Sequence, residues 1–211
     1  MIMGKFSGID LLQYVKLNYI SKNVIHKGKG KIIPFKGACI ELNENSKLII
    51  HDESLEIGLN KIKGSKTETL VRLRKNASWD VKGYCGLSYG VTIEVNENAE
   101  LESGYFTSNS YSVLVSNKRI LIGNDVMLGR NVVIYDSDFH SFNNKEERGD
   151  LVEIGNHVWI ASNSMIMKGV KIGDGSVVAA GTIVRDDVPD RVIVGFETKQ
   201  IVLRKNAEWK R

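Results

Sequence analysis

The sequence contains only two cysteines, Cys39 and Cys85, and their spacing fits neither a metal site nor a redox pair. One bridge would be a thin framework for 211 residues, so reduced thiols and a cytoplasmic location are expected. No apolar run approaches the roughly 20 residues of a membrane span, and the N-terminus lacks the apolar core of a signal peptide. The net charge of +4 is below what a nucleic-acid binder carries, yet it suits an anionic small ligand. The length fits one domain with a sizeable core.

What the chain does have is a row of aliphatics six residues apart. Ile154, Ile160, Ile166, Ile172, Val178 and Val184 stand in one frame, a period that matches neither a helix nor a strand. Small residues often follow directly (Gly155, Ala161, Gly173, Ala179), and Val158, Ser164, Val170, Ser176 and Thr182 come four places on. With aliphatics at about a quarter of an ordinary chain, six in one frame by chance is on the order of one in several thousand. Short fixed repeats build solenoids, in which each unit covers the apolar face its neighbour exposes. Three hexads close a triangular coil with every framed aliphatic pointing inward. The expected fold is therefore all-β: a left-handed parallel β-helix over residues 32–195.

The pattern of an aliphatic, a small residue and, three further on, a small or β-branched one resembles the hexapeptide-repeat acyltransferase family. The VWI at Val158–Ile160 and the AAGTIV at Ala179–Val184 are similar to that family's late coils. The resemblance implies acetyl-coenzyme A as cosubstrate, no metal, a homotrimer, and O-acetylation of a saccharide or nucleotide-linked sugar, as in surface-polysaccharide or O-antigen assembly.

Upstream, Ile9 to Ile20 has near-helical apolar spacing, with Ser7 or Asp10 able to cap the start. Residues 1–31 read as a short helix and a basic connector, HKGKGK at His26–Lys31, with the helix covering the end of the solenoid or touching a membrane surface. Three copies of one phrase, at Ile40–Leu48, Val71–Trp79 and Ile93–Leu101, mark looser early coils. Each carries an asparagine at a place where a corner needs positive φ. The polar stretch 60–69 reads as a surface excursion, and 196–211 as a tail.

The frame Ile122, Leu128, Ile134 breaks after His140 and resumes at Ile154. Twenty residues from 134 to 154 is no multiple of six, so a loop at 141–153 leaves the prism, at a closure cost that grows slowly with length. Alternation would set Asp136, Asp138 and His140 on one side. A carboxylate beside an imidazole can fix its tautomer and stabilise its charged form, so His140 is the candidate general base and Asp138 the first choice of helper.

The resemblance implies further residues. Asn109 matches an asparagine that touches the acceptor hydroxyl; Trp159 lies by the thioester end of the donor. Ala161, Ser162, Ala180 and Gly181 would flank the pantetheine arm, while Arg185 with Lys168, Lys199 or Arg204 would meet the phosphates. The acidic run Asp186-Asp187 departs from the family's basic pattern there. N-acetylation of an amino sugar is the near alternative. A γ-type carbonic anhydrase would need three zinc-binding histidines, where only His140 and His157 lie in the right half. A non-catalytic scaffold or ice-binding solenoid would show ranks of threonine on a flat face and an unbroken coil.

Overall fold

The computed structural model describes residues 8–140 and 149–196. The described chain winds as a left-handed parallel β-helix of three flat faces. The first face runs from Val24–His26 through Lys47–Ile50, Ser78–Val81, Glu100–Ser103, Arg119–Ile122 and Val152–Ile154 to Lys171–Ile172. The second runs from Ile32–Pro34 to Ile193–Val194 and the third from Ala38–Leu42 to Ile183–Val184. Every pairing between these strands is parallel, one coil against the next.

The hexad row is the core. Ile160, Ile166, Ile172 and Val178 are wholly buried, and Ile154 and Val184 are at most 4% exposed. Each such side chain contributes roughly 1.5–3 kcal/mol of burial free energy. The late coils hold strict period, because Trp159 pairs with Val177 and Met165 with Ile183, three hexads on in each case. Corners need a left-handed residue, and asparagine tolerates it. Asn45, Asn76 and Asn98, at one place in the three early phrases, have φ of 56°, 57° and 61°. Asn76 Nδ2 donates to Asn98 Oδ1 at 2.9 Å, so that corner is also tied from coil to coil.

The N-terminal segment caps the coil end with side-chain amides. Asp10 accepts from the Gln13 amide and starts a helix at Leu11–Val15, which widens into a π turn at Lys16–Ile20. Asn18 bonds both the N–H and the C=O of Ile32, and Gln13 Nε2 donates to the Ala38 carbonyl. These amides supply the partners a preceding coil would have offered. Leu17 is buried, whereas Leu11, Leu12, Val15, Tyr19 and Ile20 are exposed. No described helix is long and apolar enough to cross a membrane.

One expectation is corrected here. The solenoid begins before residue 32, because Val24–His26 pairs in register with Leu48–Ile50. The HKGKGK stretch is the first corner: Gly28 and Gly30 sit against the His51–Glu53 backbone too closely for a side chain. The stretch between Leu59 and Thr69 does leave the prism, at the edge between second and third faces.

Candidate active site

Two edges of the prism carry the candidate residues. Asn109, Gly129, Ala161, Ser162 and Ala180 follow second-face strands in successive coils, so they line up along the second–third edge. With Trp159, Val177, Ala179 and Ile193 they wall a cleft of about 570 Å³. Its floor is small because coils approach closely: a Cβ on Gly129 would stand 2.5 Å from the Ser162 amide nitrogen. Ser162 Oγ accepts from the Arg130 amide at 3.0 Å, so this hydroxyl ties one coil to the next. Gly181 turns the next corner at φ +73° with open space above it.

Trp159 is 48% exposed, in parallel register between Met127, 50% exposed, and Val177; Ile193, 77% exposed, follows. This column of apolar groups in water is the kind of surface that a ligand or another chain covers. The Asn109 carboxamide is exposed and makes no hydrogen bond with any described residue, while its backbone is fixed by the Leu128 carbonyl and the Ser112 hydroxyl.

His140 lies on another edge. The third-face strand Val133–Tyr135 ends just before Asp136, and Phe139 takes φ +60°, so the expected alternation through His140 does not persist. Asp136 turns inward and is fully buried. Its carboxylate accepts from the amides of Asn117 (2.6 Å), Lys118 (2.9 Å) and Arg119 (2.7 Å) and from Ser116 Oγ (3.0 Å). It holds the corner of the previous coil. Asp138 faces Lys168 Nζ at 2.6 Å rather than the imidazole. His140 is exposed and has no hydrogen bond or ion pair with a described residue.

Lys168 and Arg185 share this third–first edge with His140 and lie away from the Trp159 cleft. Lys199, Arg204 and residues 141–148 of the expected loop lie outside the described residues. His157 sits on the remaining edge, at φ +54°, with Nδ1 2.5 Å from Asp125 Oδ2. The two late histidines are therefore not neighbours.

The sequence reading missed Met127, Gly129, Val177, Ala179 and Ile193. Val177 could have been found by counting three hexads from Trp159. Met127 and Gly129 could not, because the loop breaks the count between them and their neighbours.

Residues 152–186 match the bacterial transferase hexapeptide (six repeats) family. The late coils of this chain therefore carry the hexapeptide repeat that the family's description names. It is similar to the galactoside O-acetyltransferase of Escherichia coli (strain K12), 33% identical over 110 residues, which cover 50% of this chain and 51% of that protein. It is also similar to the chloramphenicol acetyltransferase of Morganella morganii, 46% identical over 63 residues, 29% of this chain and 30% of that one. Among solved structures, the hexapeptide-repeat acetyltransferase VCA0836 of Vibrio cholerae O1 biovar eltor, complexed with acetyl coenzyme A, is 28% identical with a TM-score of 0.41, over 53% of this chain and 60% of that chain. The chain spans about half the length of the first curated relatives it matches.

Proposed function

We propose that this hexapeptide-repeat protein is an acetyl-coenzyme A-dependent O-acetyltransferase acting on a sugar hydroxyl. The observation that carries this reading is the cleft of Trp159, Ala161, Ser162 and Ala180 with Asn109 at its upper end. Small side chains let a thin pantetheine arm lie against the coils, and the half-exposed indole offers it an apolar wall. The similarity to the galactoside enzyme supports a sugar acceptor and oxygen as the acetylated atom.

In this reaction His140 takes the proton of the acceptor hydroxyl as the oxygen attacks the thioester carbonyl. The tetrahedral intermediate then collapses, and coenzyme A leaves as the thiol after accepting that proton. One chain does not bring His140 to its own cleft. A face is five or six residues wide, on the order of 17–20 Å at strand spacing. The reading therefore includes a homotrimer in which the cleft edge of one chain meets the His140 edge of the next, closing over the exposed column of Met127, Trp159 and Ile193. Asp138 and Lys168 belong to the acceptor side of that junction, and Arg185 on the same edge would reach the donor phosphates from the neighbouring chain.

The test is thiol release from acetyl-coenzyme A with a panel of oligosaccharides and nucleotide sugars, comparing wild type with His140→Ala. The expected result is a kcat lower by roughly 10² to 10⁴, with donor affinity unchanged. Undiminished turnover by His140→Ala would refute the assignment. Acetylated nitrogen in the product would move the reaction to amino sugars.

A further inference from the structure

The second–third edge continues beyond Asn109 toward the N-terminal end, and its character changes there. In the coil of Asn60, the excursion after Leu59 folds beside Phe35–Gly37 and encloses a second cleft of about 850 Å³. Its charged lining is all of one sign: Lys36, Lys61 and Lys63. Lys61 Nζ lies over the bare Cα of Gly37, at φ +93°, where any side chain would collide with it. None of the three lysines makes an ion pair among the described residues. The nearby Glu68 is engaged with the Cys39 thiol, whose pKa rises through burial first and through this carboxylate next.

Positive charge is concentrated in the early coils. Among the described residues, 8–75 hold 13 Lys and Arg against 7 Asp and Glu, a balance of +6, whereas 76–140 with 149–196 hold 8 against 14, or −6.

Between the basic cleft and Asn109 stands an aromatic step. Gly90, at φ +79°, is flat enough that an added Cβ would stand 2.7 Å from the Tyr111 ring and 3.2 Å from the Thr67 methyl. The excursion and Tyr111 thus meet over the same glycine. Tyr111 is 47% exposed although its φ is +68°, a costly conformation for an aromatic residue, and it is braced edge-on by buried Tyr89 at 5.6 Å. The coils of Asn60 and Asn109 are two steps apart, about 10 Å at the spacing of neighbouring strands. Cations, an exposed ring and an unpartnered carboxamide therefore follow one another along a line that one or two sugar rings would cover.

We propose that the acceptor is an anionic saccharide lying along this edge, its negative group on Lys36, Lys61 and Lys63, a ring against Tyr111 and its reactive hydroxyl at Asn109. This inference rests on the acetyl-transfer reading for the meaning of Asn109 alone; the basic cleft and the aromatic step stand without it. A carboxylated sugar and a diphosphate-linked sugar would present the same charge, so both are probed.

Binding to the full chain is measured for three probes: trigalacturonate, its carboxyl-reduced neutral counterpart, and UDP-galactose. The expected result is that at least one charged probe binds ten or more times more tightly than the neutral one, and the stronger of the two identifies the source of charge. A Lys61→Gln/Lys63→Gln protein should lose that preference by about tenfold, and Tyr111→Ala should weaken the same probe. Both variants should keep the wild-type melting temperature, since none of these side chains is fully buried. The inference is overturned if neither charged probe outbinds the neutral one, or if the double variant binds as wild type does. Acetyl-coenzyme A affinity, read in parallel, separates the two ideas: intact donor binding with no charge preference sinks this proposal alone, whereas absent donor binding sinks the acetyl-transfer reading.

Discussion

Asn109 and Trp159 wall one cleft from strands two coils apart, while His140, between them in sequence, stands at a different edge of the prism. If the proposed transfer uses His140 as its base, a neighbouring chain has to supply that residue to the cleft, and this can be measured.

Subunits carrying His140→Ala and subunits carrying Trp159→Ala should each be nearly inactive alone. Unfolded together in equal amounts and refolded, they should regain about a quarter of wild-type activity, the chance that an intact His140 edge faces an intact cleft in a random closed ring. Kinetic assay of the mixture decides it; activity no higher than the sum of the parents would mean that each site lies within one chain.

Ala180 is exposed on the floor of the cleft. Ala180→Tyr should therefore leave the melting temperature within a degree or two of wild type and weaken acetyl-coenzyme A at least tenfold by calorimetry. A variant that binds the donor normally would remove this stretch from the donor site.

Asp136 and Asp138 should separate by what they break. Removing the Asp136 carboxylate strands three backbone amides of the Asn117–Arg119 corner, and Asp136→Ala should cost roughly 3 kcal/mol or more in denaturant unfolding, at about 1–3 kcal/mol for each amide left buried. Asp138→Asn disturbs a partly exposed pair with Lys168 and should cost less than about 1 kcal/mol. Equal losses would contradict the structural role given to Asp136.

Burial pushes the Cys85 thiol up to about 12, its hydrogen bond with Ser103 only partly opposing this. The folded state holds that proton more tightly than the unfolded chain. The resulting stabilisation is complete below the ordinary thiol range near pH 9 and disappears as pH rises toward 12. Native protein should accordingly expose at most one reactive thiol, the half-buried Cys39, until denaturant releases the second; Cys85→Ser should flatten the alkaline limb of the stability profile. Two fast thiols in native protein at pH 8 would show that the core is open there.

The late coils were legible because their inward residues repeat without exception from Ile154 to Val184, and only a buried axis imposes such regularity. The corner asparagines were legible for a similar reason, since few other residues accept the left-handed backbone of Asn45, Asn76 and Asn98. The break after His140 could be counted. What could not be read was how coils lie across that break. Lys168 becomes the partner of Asp138 only because its coil stacks directly beneath, and Asp136 is drawn inward by amides contributed from a coil before it. Alternation is a rule for one strand, and the strand had already ended at Tyr135. The basic cleft was hidden likewise, because Lys36 and Lys61 become neighbours through stacking and not through any motif.

Parallel coils make the second–third edge a ruler graduated in steps of about 4.8 Å. Whatever spans from Lys61 to Asn109 is measured against whole divisions, two in this molecule. Deleting or duplicating one full turn of early chain would shift the reach to one division or three while leaving every strand in register. Selection acting on such a rod can lengthen or shorten the molecule it gauges only in jumps.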